Sequence, residues 1–274
     1  MAFQASAAQQ QLARDLKQLR GTTSIKTVEA ACGWGYGKIS KIENSRIGIS
    51  QPDLDRLLEY YGVGQEERAR LSSLLQSSRT DRWWEAFNRW LNPTQAAHVA
   101  WENEAVRIHH AQPSYVPGLL QTVDYATALI RDDGFQPDPD KVDALVALRM
   151  QRQARLDEAE PPELNVLLAE AVLWNAYGSA EILTAQLEHL RRMMERPAVN
   201  VRIVPFSRMT LMSSIELFEL EVGAVVMTEG MWQHAVLDSD LEIKQARRAL
   251  AYLGERALTE IETIQQIEQR IKQQ

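Results

Sequence analysis

Cysteine is almost absent from this sequence of 274 residues, which contains only Cys32. A single cysteine excludes an intramolecular disulfide framework and is typical of proteins from a reducing compartment. Because Cys32 is expected at the end of a helix, a small buried apolar side chain is favoured over a reactive thiol.

Long apolar runs are also absent. No stretch approaches the roughly 20 apolar residues that cross a bilayer. The first 20 residues lack the apolar core of a signal peptide and instead continue into an amphipathic helix pattern. We therefore expect a cytoplasmic protein without a membrane partner.

Groups of residues that carry catalysis or bind metals are missing too. The five histidines show no paired ligand spacing, and the adjacent His109 and His110 are predicted on different sides of a helix. No Gly-x-Ser-x-Gly turn occurs. The glycine-rich segment 33–38 is not a phosphate loop, because Cys32 and Ile39 replace its required glycine and hydroxyl residue. We expect no catalytic residue, no metal site and no cofactor, and hence not an enzyme.

The charge is unevenly distributed along the chain. The net charge is −7, but residues 1–80 hold 11 Lys/Arg against 8 Asp/Glu, and residues 12–50 hold 7 against 3. Residues 81–274 hold 19 against 29. DNA binding depends on local positive charge that displaces counterions from phosphates. The pattern therefore indicates a basic N-terminal part on an acidic body.

Apolar periodicity predicts five short helices in residues 1–77, taken as one domain. The predicted bounds are Ala8 to Arg20, a second helix capped by Thr23 or Ser24, a third from near Gly35, a fourth after Pro52, and a fifth from Gln65 to Gln76. Gly33 permits a positive φ between the second and third helices. This layout is that of a helix-turn-helix, whose second helix enters the DNA major groove.

The predicted DNA contacts follow from this layout. Tyr36, Lys38 and Lys41 point outward and are long enough to reach base edges. Further residues are expected to contact phosphates or, for the glycine, to allow a close approach of the backbone: Ser24, Lys26, Gly37, Ser40, Asn44 and Arg46. The alternative is a solvated basic helical face without a DNA-binding role.

This segment resembles the lambda-repressor-like, or xenobiotic-response-element, family of helix-turn-helix domains over about residues 10–77. The resemblance is carried by Gly33, Ile39, Ser40, Ile42, Glu43, Asn44, Pro52, Leu54, Leu57 and Tyr61. The chain departs from the family at Glu29, where alanine is usual, at Gly35, where a capping serine is common, and at Ser45, where glycine often ends the helix. The resemblance implies a five-helix DNA-binding fold that reads two half-sites as a homodimer.

Beyond a polar break at residues 77–81, two further parts are predicted. Residues 78–105 form an aromatic helical connector, in which Trp83, Trp84 and Trp101 are favoured as core residues over a ligand cage. Residues 106–274 form a mixed α/β domain. Its predicted strands are 164–169, 199–204, 215–222 and 224–229; its predicted helices follow Pro117-Gly118 and cover 140–158 and 180–196, with a long C-terminal helix from about Leu241 to Gln274.

The second part resembles the domain of unknown function that follows the helix-turn-helix in many actinobacterial antitoxin-like regulators, over about residues 81–260. The resemblance is carried chiefly by residues 116–122 (VPGLLQT), 124–126 (DYA) and Arg149 with Arg152-Gln153. It implies a regulator whose body receives a signal, with a small protein encoded nearby as a possible partner. We expect Gln121, Arg149, Arg152 and Glu229 to line a polar pocket or partner-binding surface. Structural salt bridges on a solvated face are an equal alternative.

The C-terminal helix carries an apolar stripe that includes Leu250, Leu253, Ala257 and Ile261. Such a stripe is either core-facing or a dimer seam, and the seam is slightly favoured.

The fold class expected from these patterns is mainly α with an α/β C-terminal part. The leading function is a sequence-specific, homodimeric regulator of transcription on double-stranded DNA, associated with the nucleoid, whose C-terminal domain receives a signal from a ligand or small protein. The alternative is an antitoxin-like protein that neutralises a small protein partner and autoregulates its own operon. An enzyme with a DNA-binding appendage lacks a catalytic constellation.

Overall fold

The structure is a computed structural model that describes residues 7–45, 47–77, 83–132, 138–208, 213–221, 223–229 and 234–273. Arg46, a predicted phosphate contact, and most of the predicted polar break lie outside these residues. The chain forms two compact units, Met1–Ala86 with Gln95–Trp101, and Phe87–Thr94 with Glu102–Gln274. The predicted connector, residues 78–105, is divided between them.

Within the described residues, the first unit begins with five helices, as predicted. They are α1 (Ala7–Arg20), α2 (Ile25–Cys32), α3 (Lys38–Glu43), α4 (Gln51–Tyr60) and α5 (Gln65–Ser77). Ser24 is the N-cap of α2, and its Oγ accepts a hydrogen bond from the Thr27 amide. Their apolar faces form one core that includes Leu12, Leu16, Val28, Ile39, Leu54, Leu57 and Leu71. Cys32 is buried in this core, and burial raises the pKa of its thiol.

The turn between α2 and α3 is built on glycines. Gly33 has a φ of +68°, as predicted, and its amide donates to the Ala30 carbonyl while the Trp34 amide donates to the Glu29 carbonyl. This closes the C-terminus of α2 and redirects the chain. The predicted start of α3 near Gly35 is wrong. Gly37 has a φ of +85°, which is incompatible with a right-handed helix, so α3 starts at Lys38.

Ser45 follows α3 with a φ of +52°. In this region the β-carbon of a residue other than glycine costs about 1–2 kcal/mol. Glycine removes that strain, but it gives the unfolded chain more conformational freedom, which lowers the free energy of unfolding by about 0.5–1 kcal/mol. We expect Ser45→Gly to raise the free energy of unfolding by about 0.5–1 kcal/mol in urea denaturation of the full chain. A lower free energy of unfolding in Ser45→Gly would contradict the presence of backbone strain at this position. Ser45→Val should lower the free energy of unfolding.

The second unit is built on a six-stranded mixed sheet in the order β3-β2-β1-β4-β5-β6. The strands are β1 (Ala105–Gln112), β2 (Glu163–Ala169), β3 (Val199–Val204), β4 (Ile215–Leu220), β5 (Ala224–Glu229) and β6 (His234–Leu237). Strands β1, β2 and β3 are parallel, and the pairs β1–β4, β4–β5 and β5–β6 are antiparallel. The predicted mixed α/β sheet is confirmed.

Two strands were not predicted from the sequence. These are β1 and β6, and the prediction that His109 and His110 lie on a helix is wrong. These residues lie on the central strand, where they point to opposite faces of the sheet because successive strand side chains alternate. The polar residues in AVRIHHAQ hide the apolar alternation that identifies a strand.

Helices precede, connect and follow the strands. They are α6 (Pro93–Glu104), α7 (Val123–Arg131), α8 (Pro139–Gln153), α9 (Ala180–Met193), α10 (Asp240–Gly254) and α11 (Glu260–Lys272). Short 3-10 turns cover Trp83–Phe87, Gly118–Leu120, Ala154–Asp157, Glu170–Leu173 and Phe206–Arg208. Trp84 and Trp101 are buried, in line with a core role. No helix among the described residues is both long and apolar enough to cross a membrane.

The single long C-terminal helix is a wrong prediction, because the segment forms α10 and α11. Thr259 and Glu262 form a capping box that starts the second helix. The Leu258 amide also donates to the Ile203 carbonyl at 2.8 Å, which holds the break against β3. Leu253 is 2% exposed and belongs to the same buried core as Ala111, Leu217 and Val226. The dimer seam assigned to this stripe is therefore wrong at Leu253, although Ile261 is exposed.

Candidate nucleic-acid interface and the polar network of the second unit

The residues predicted to contact DNA lie along α2, the turn and α3. Ser24, Lys26, Tyr36, Lys41 and Asn44 are exposed, and Gly37, Lys38 and Ser40 are partly exposed. Tyr36 is 87% exposed, which is unusual for a large aromatic side chain. We name the exposed residues Tyr36, Lys41 and Asn44 the α3 surface.

Lys38 is less available than Lys41. Its Nζ lies 2.9 Å from Asp53 Oδ2 and 4.4 Å from the centroid of the Trp34 ring. Burial opposes ionisation of Asp53, but hydrogen bonds from Lys38 and Ser50 lower the pKa of its carboxyl group overall. Lys41 has no ion-pair partner among the described residues. Lys41 is therefore the better placed of the two cations to meet an external anion.

The start of α3 is capped from a neighbouring helix. Gly37 is the N-cap and has no side chain to bond the first amides of the helix. Glu29 of α2 is 3% exposed, and its Oε1 accepts a hydrogen bond from the Ile39 amide at 3.0 Å. Glu29, a departure from the resembled family, thus supplies the capping group that this helix lacks.

Glu29→Ala should leave the buried Ile39 amide without an acceptor. The expected loss is about 1–2 kcal/mol in the free energy of opening of α3. Amide hydrogen exchange of the full chain, read by mass spectrometry over residues 25–44, measures this quantity. Glu29→Gln keeps an acceptor oxygen and should lose less. Equal exchange in the wild type and Glu29→Ala would show that the cap does not stabilise α3.

An ion pair fixes the other end of α3. Arg20, the last residue of α1, bonds both oxygens of Glu43, with Nε–Oε1 at 2.6 Å and Nη2–Oε2 at 2.9 Å. Both side chains are largely buried, at 14% and 4% exposure. Sequence reasoning missed this pair because its members are 23 residues apart. Together with Glu29, it holds α3 rigidly on α1 and α2.

Asn44 also has a local role. Its Nδ2 donates to the Ser40 carbonyl at 2.7 Å, which satisfies one of the free carbonyls at the end of α3. Its Oδ1 remains on the α3 surface. A lysine, a tyrosine hydroxyl and an amide oxygen together can donate to guanine or phosphate oxygens and accept from base amino groups.

In the second unit, two arginines of α8 meet the segment 116–122. Arg152 forms a two-bond ion pair with Glu102 of α6, with Nε–Oε1 at 2.7 Å and Nη2–Oε2 at 2.5 Å. Arg149 donates from Nη1 to Gln121 Oε1 at 2.7 Å. Burial, reinforced by the neighbouring charge of Arg152, lowers the pKa of Arg149 to about 10.

Glu229 belongs to the same network. It accepts a hydrogen bond from the Tyr115 hydroxyl, and burial together with this carboxylate raises the pKa of Tyr115. Its charge also acts on Arg149 and Arg152. The structure therefore brings together Gln121, Arg149, Arg152 and Glu229, the four residues singled out from the sequence. Glu102 and Tyr115 are members that sequence reasoning missed.

Side-chain amides brace the segment 116–122. Gln121 Nε2 donates to the Val116 carbonyl at 2.5 Å, and Gln153 Nε2 donates to the carbonyls of Gly118 and Gln121. Gln186 donates to the Leu120 carbonyl and accepts from the Thr122 amide, both at 2.7 Å. These bonds give VPGLLQT and Arg152-Gln153 a structural reason to occur together.

Most groups of this network are satisfied by each other. His110 Nδ1 lies 2.8 Å from Glu216 Oε1 across β1 and β4. The buried nitrogens without a partner among the described residues include Arg149 Nε, His110 Nε2 and Gln112 Nε2. Binding of a ligand or protein here remains a prediction. Among the described residues, no group of three or more His, Cys, Asp or Glu side chains is arranged to hold a metal ion.

Comparison with known families gives two matches. A family model described as "Domain of unknown function (DUF5753)" matches residues 95–269. A model described as "Helix-turn-helix domain" matches residues 11–71. Neither the curated proteins nor the solved structures that were compared give a match.

Proposed function

We propose that this protein is a sequence-specific DNA-binding regulator of transcription. The chain belongs to the DUF5753 family and carries a helix-turn-helix domain. The observation that carries the proposal is the α3 surface. It presents exposed Lys41 on α3 and exposed Tyr36 in the turn before it, and α3 is held at both ends, by Glu29 and by the Arg20–Glu43 pair.

Rigid support favours DNA readout over a solvated basic face. Burying an ion pair is weak evidence for stability, because desolvation offsets the attraction of the charges. Its clearer effect here is to fix where α3 points. Base recognition requires side chains placed with hydrogen-bond accuracy, whereas a solvated face does not.

The N-terminal domain is further proposed to be lambda-repressor-like and to act as part of a homodimer. The order of five helices, with α2 and α3 as the central pair, supports this assignment. A single six-residue recognition helix offers few contacts, and two copies reading two half-sites supply the affinity that one lacks. Leu253 lies in the body's own core and is therefore not available for the contact between copies.

The body is proposed to receive a signal and to have no catalytic role. Arg152 bonds Glu102 and Arg149 bonds Gln121, so the hydrogen bonds of these arginines are made within the network itself. We therefore assign that network to holding Glu102, α8 and the segment 116–122 together. The site that receives the signal is then expected elsewhere in the second unit.

Selection from a random double-stranded DNA library with the full chain tests this function. We expect enrichment of one sequence with two-fold symmetry. The affinity of the protein for this sequence should fall as the salt concentration rises. The slope of log affinity against log salt concentration gives the number of phosphates that the protein neutralises. Failure to enrich any sequence would overturn the proposal of a sequence-specific regulator. An asymmetric enriched site would overturn only the homodimer.

A further inference from the structure

A cleft of about 430 Å³ lies on one face of the sheet in the second unit. Its volume falls within the range of about 300–1,000 Å³ that is usual for small-molecule sites. Its floor comes from β1 to β4 and its wall from Leu250 and Ala251 of α10. His109 lines this cleft, so it lies on the face opposite to the His110–Glu216 pair.

A polar row crosses the floor of the cleft. Asn200 of β3 pairs with Asn165 of β2, and Asn165 pairs with His109 of β1. Paired residues of neighbouring strands point to the same face, and all three line the cleft. The row therefore offers two amides and one imidazole side by side.

Such a row is unexpected in parallel strands. These strands are normally apolar on both faces because helices cover both, and asparagine is depleted in strands. Helix α10 packs on the apolar side chains Leu217 and Val226 but leaves the row uncovered. Packing against a helix therefore does not explain why these strand positions carry residues that are poor strand formers.

The row retains hydrogen-bonding capacity. Asn165 Nδ2 donates to Glu163 Oε1 at 2.9 Å, which leaves Asn165 Oδ1 as an acceptor. The side chains of Asn200 and His109 have no hydrogen-bond partner among the residues that the structure describes. Burial lowers the pKa of His109, so its neutral ring offers one donor and one acceptor.

The charged groups around the cleft are already engaged. Glu219 bonds Arg107 at 2.8 Å and Arg247 at 3.0 Å. Glu163 bonds Arg107 at 2.7 Å. Arg202 donates to the carbonyls of Leu258 and Ala257. A charged ligand would have to compete with these pairs, whereas an uncharged one would not.

We propose that this cleft binds an uncharged small molecule with a planar amide edge, in which a carbonyl and an N–H lie side by side. Lactams, cyclic dipeptides and nucleobases share this chemistry. The amide edge pairs with Asn165 and Asn200, and the apolar part of the ligand contacts Leu217 and Leu250. Its use as the signal of the regulator rests on the proposed function, but the binding does not.

The methyl groups of Leu217 and Leu250 report directly on the cleft by NMR of the full chain. The probes are 2-piperidone and uracil, with cyclohexanone and cyclohexanecarboxylate as controls of similar size that lack the amide edge. We expect saturable shifts with 2-piperidone, uracil or both, and much weaker ones with the controls. A response to 2-piperidone indicates a lactam as the ligand, and a response to uracil indicates a nucleobase.

Two variants localise the binding. Asn165→Ala removes one amide, and Ala251→Trp fills the cleft from an exposed position of α10. Both should weaken binding by about tenfold or more. Arg248→Trp, also exposed on α10 but outside the cleft lining, should bind as the wild type does. Equal shifts with the controls, no shift with either amide probe, or wild-type affinity in Ala251→Trp would overturn the proposal. DNA is absent from this measurement, so failure of the regulator function would leave its result unchanged.

Discussion

Lys41→Glu should abolish specific DNA binding. The ammonium of Lys41 is exposed on α3 and has no ion-pair partner among the described residues. Loss of a lysine that contacts a base or phosphate weakens binding by about 1–3 kcal/mol per half-site. A glutamate adds repulsion from the phosphates, so two half-sites together should lose at least about 100-fold in affinity.

Four further variants make this result specific. Lys244→Glu makes the same charge change on exposed α10 of the body and should leave the affinity unchanged. Lys38→Ala should weaken binding less than Lys41→Ala, because Asp53 and Trp34 already hold the Lys38 ammonium. The double variant Lys38→Ala with Lys41→Ala should lose most of the specific affinity. Fluorescence anisotropy on the selected DNA measures the affinity of all five variants. Full affinity in the double variant would contradict the placement of α3 in the DNA groove.

Glu102→Ala should destabilise the second unit severely. The Glu102 and Arg152 side chains are 4% and 11% exposed, and each guanidinium bond to the carboxylate is short. Without Glu102, Arg152 is left buried beside Arg149, whose lowered pKa already reflects burial and this like charge. Removing one partner of a buried pair costs about 3–5 kcal/mol. We expect a loss of this size in urea unfolding of the second unit.

The matched control is Glu268→Ala. Glu268 pairs with Arg191 on the surface, where both side chains are well exposed. Surface pairs contribute little, so this variant should unfold as the wild type does. Glu102→Gln keeps one of the two acceptor oxygens without the charge and should fall between the two. If Glu102→Ala unfolds at the same urea concentration as Glu268→Ala, the network does not stabilise the body.

Local patterns predicted most of the elements. Helices α1, α2, α4 and α5 have clear apolar periodicity and end or start at Gly21, Ser24, Pro52 and Gly62. Strands β2 to β5 are apolar runs bounded by turns. The Thr-x-x-Glu pattern of Thr259 and Glu262 also predicts a helix start, and it is sufficient to divide the C-terminal segment into two helices.

Pairings between distant residues could not be predicted. Arg152 and Glu102 are 50 residues apart, and Lys38 and Asp53 are 15 apart. A single sequence shows that such residues are charged but not which charges meet. The role of Glu29 depends on the same kind of information, since only the packing of α2 against α3 places its carboxylate at the Ile39 amide.

The row of Asn200, Asn165 and His109 illustrates the same limit. Asn165 and Asn200 lie on strands that the sequence predicted, but His109 lies on the missed strand β1. Without β1 between β2 and β4, neither the row nor the cleft exists. The order of strands, and not the composition of any one of them, therefore creates this candidate site.

We expect the α3 surface to direct the protein to specific DNA sequences. Genome-wide mapping of bound DNA in cells that express either the wild type or Lys41→Glu at equal levels tests it most directly. We predict discrete sites that share the sequence selected in vitro for the wild type, and their loss in Lys41→Glu. The same sites occupied by both proteins, or no discrete site for the wild type, would contradict the account.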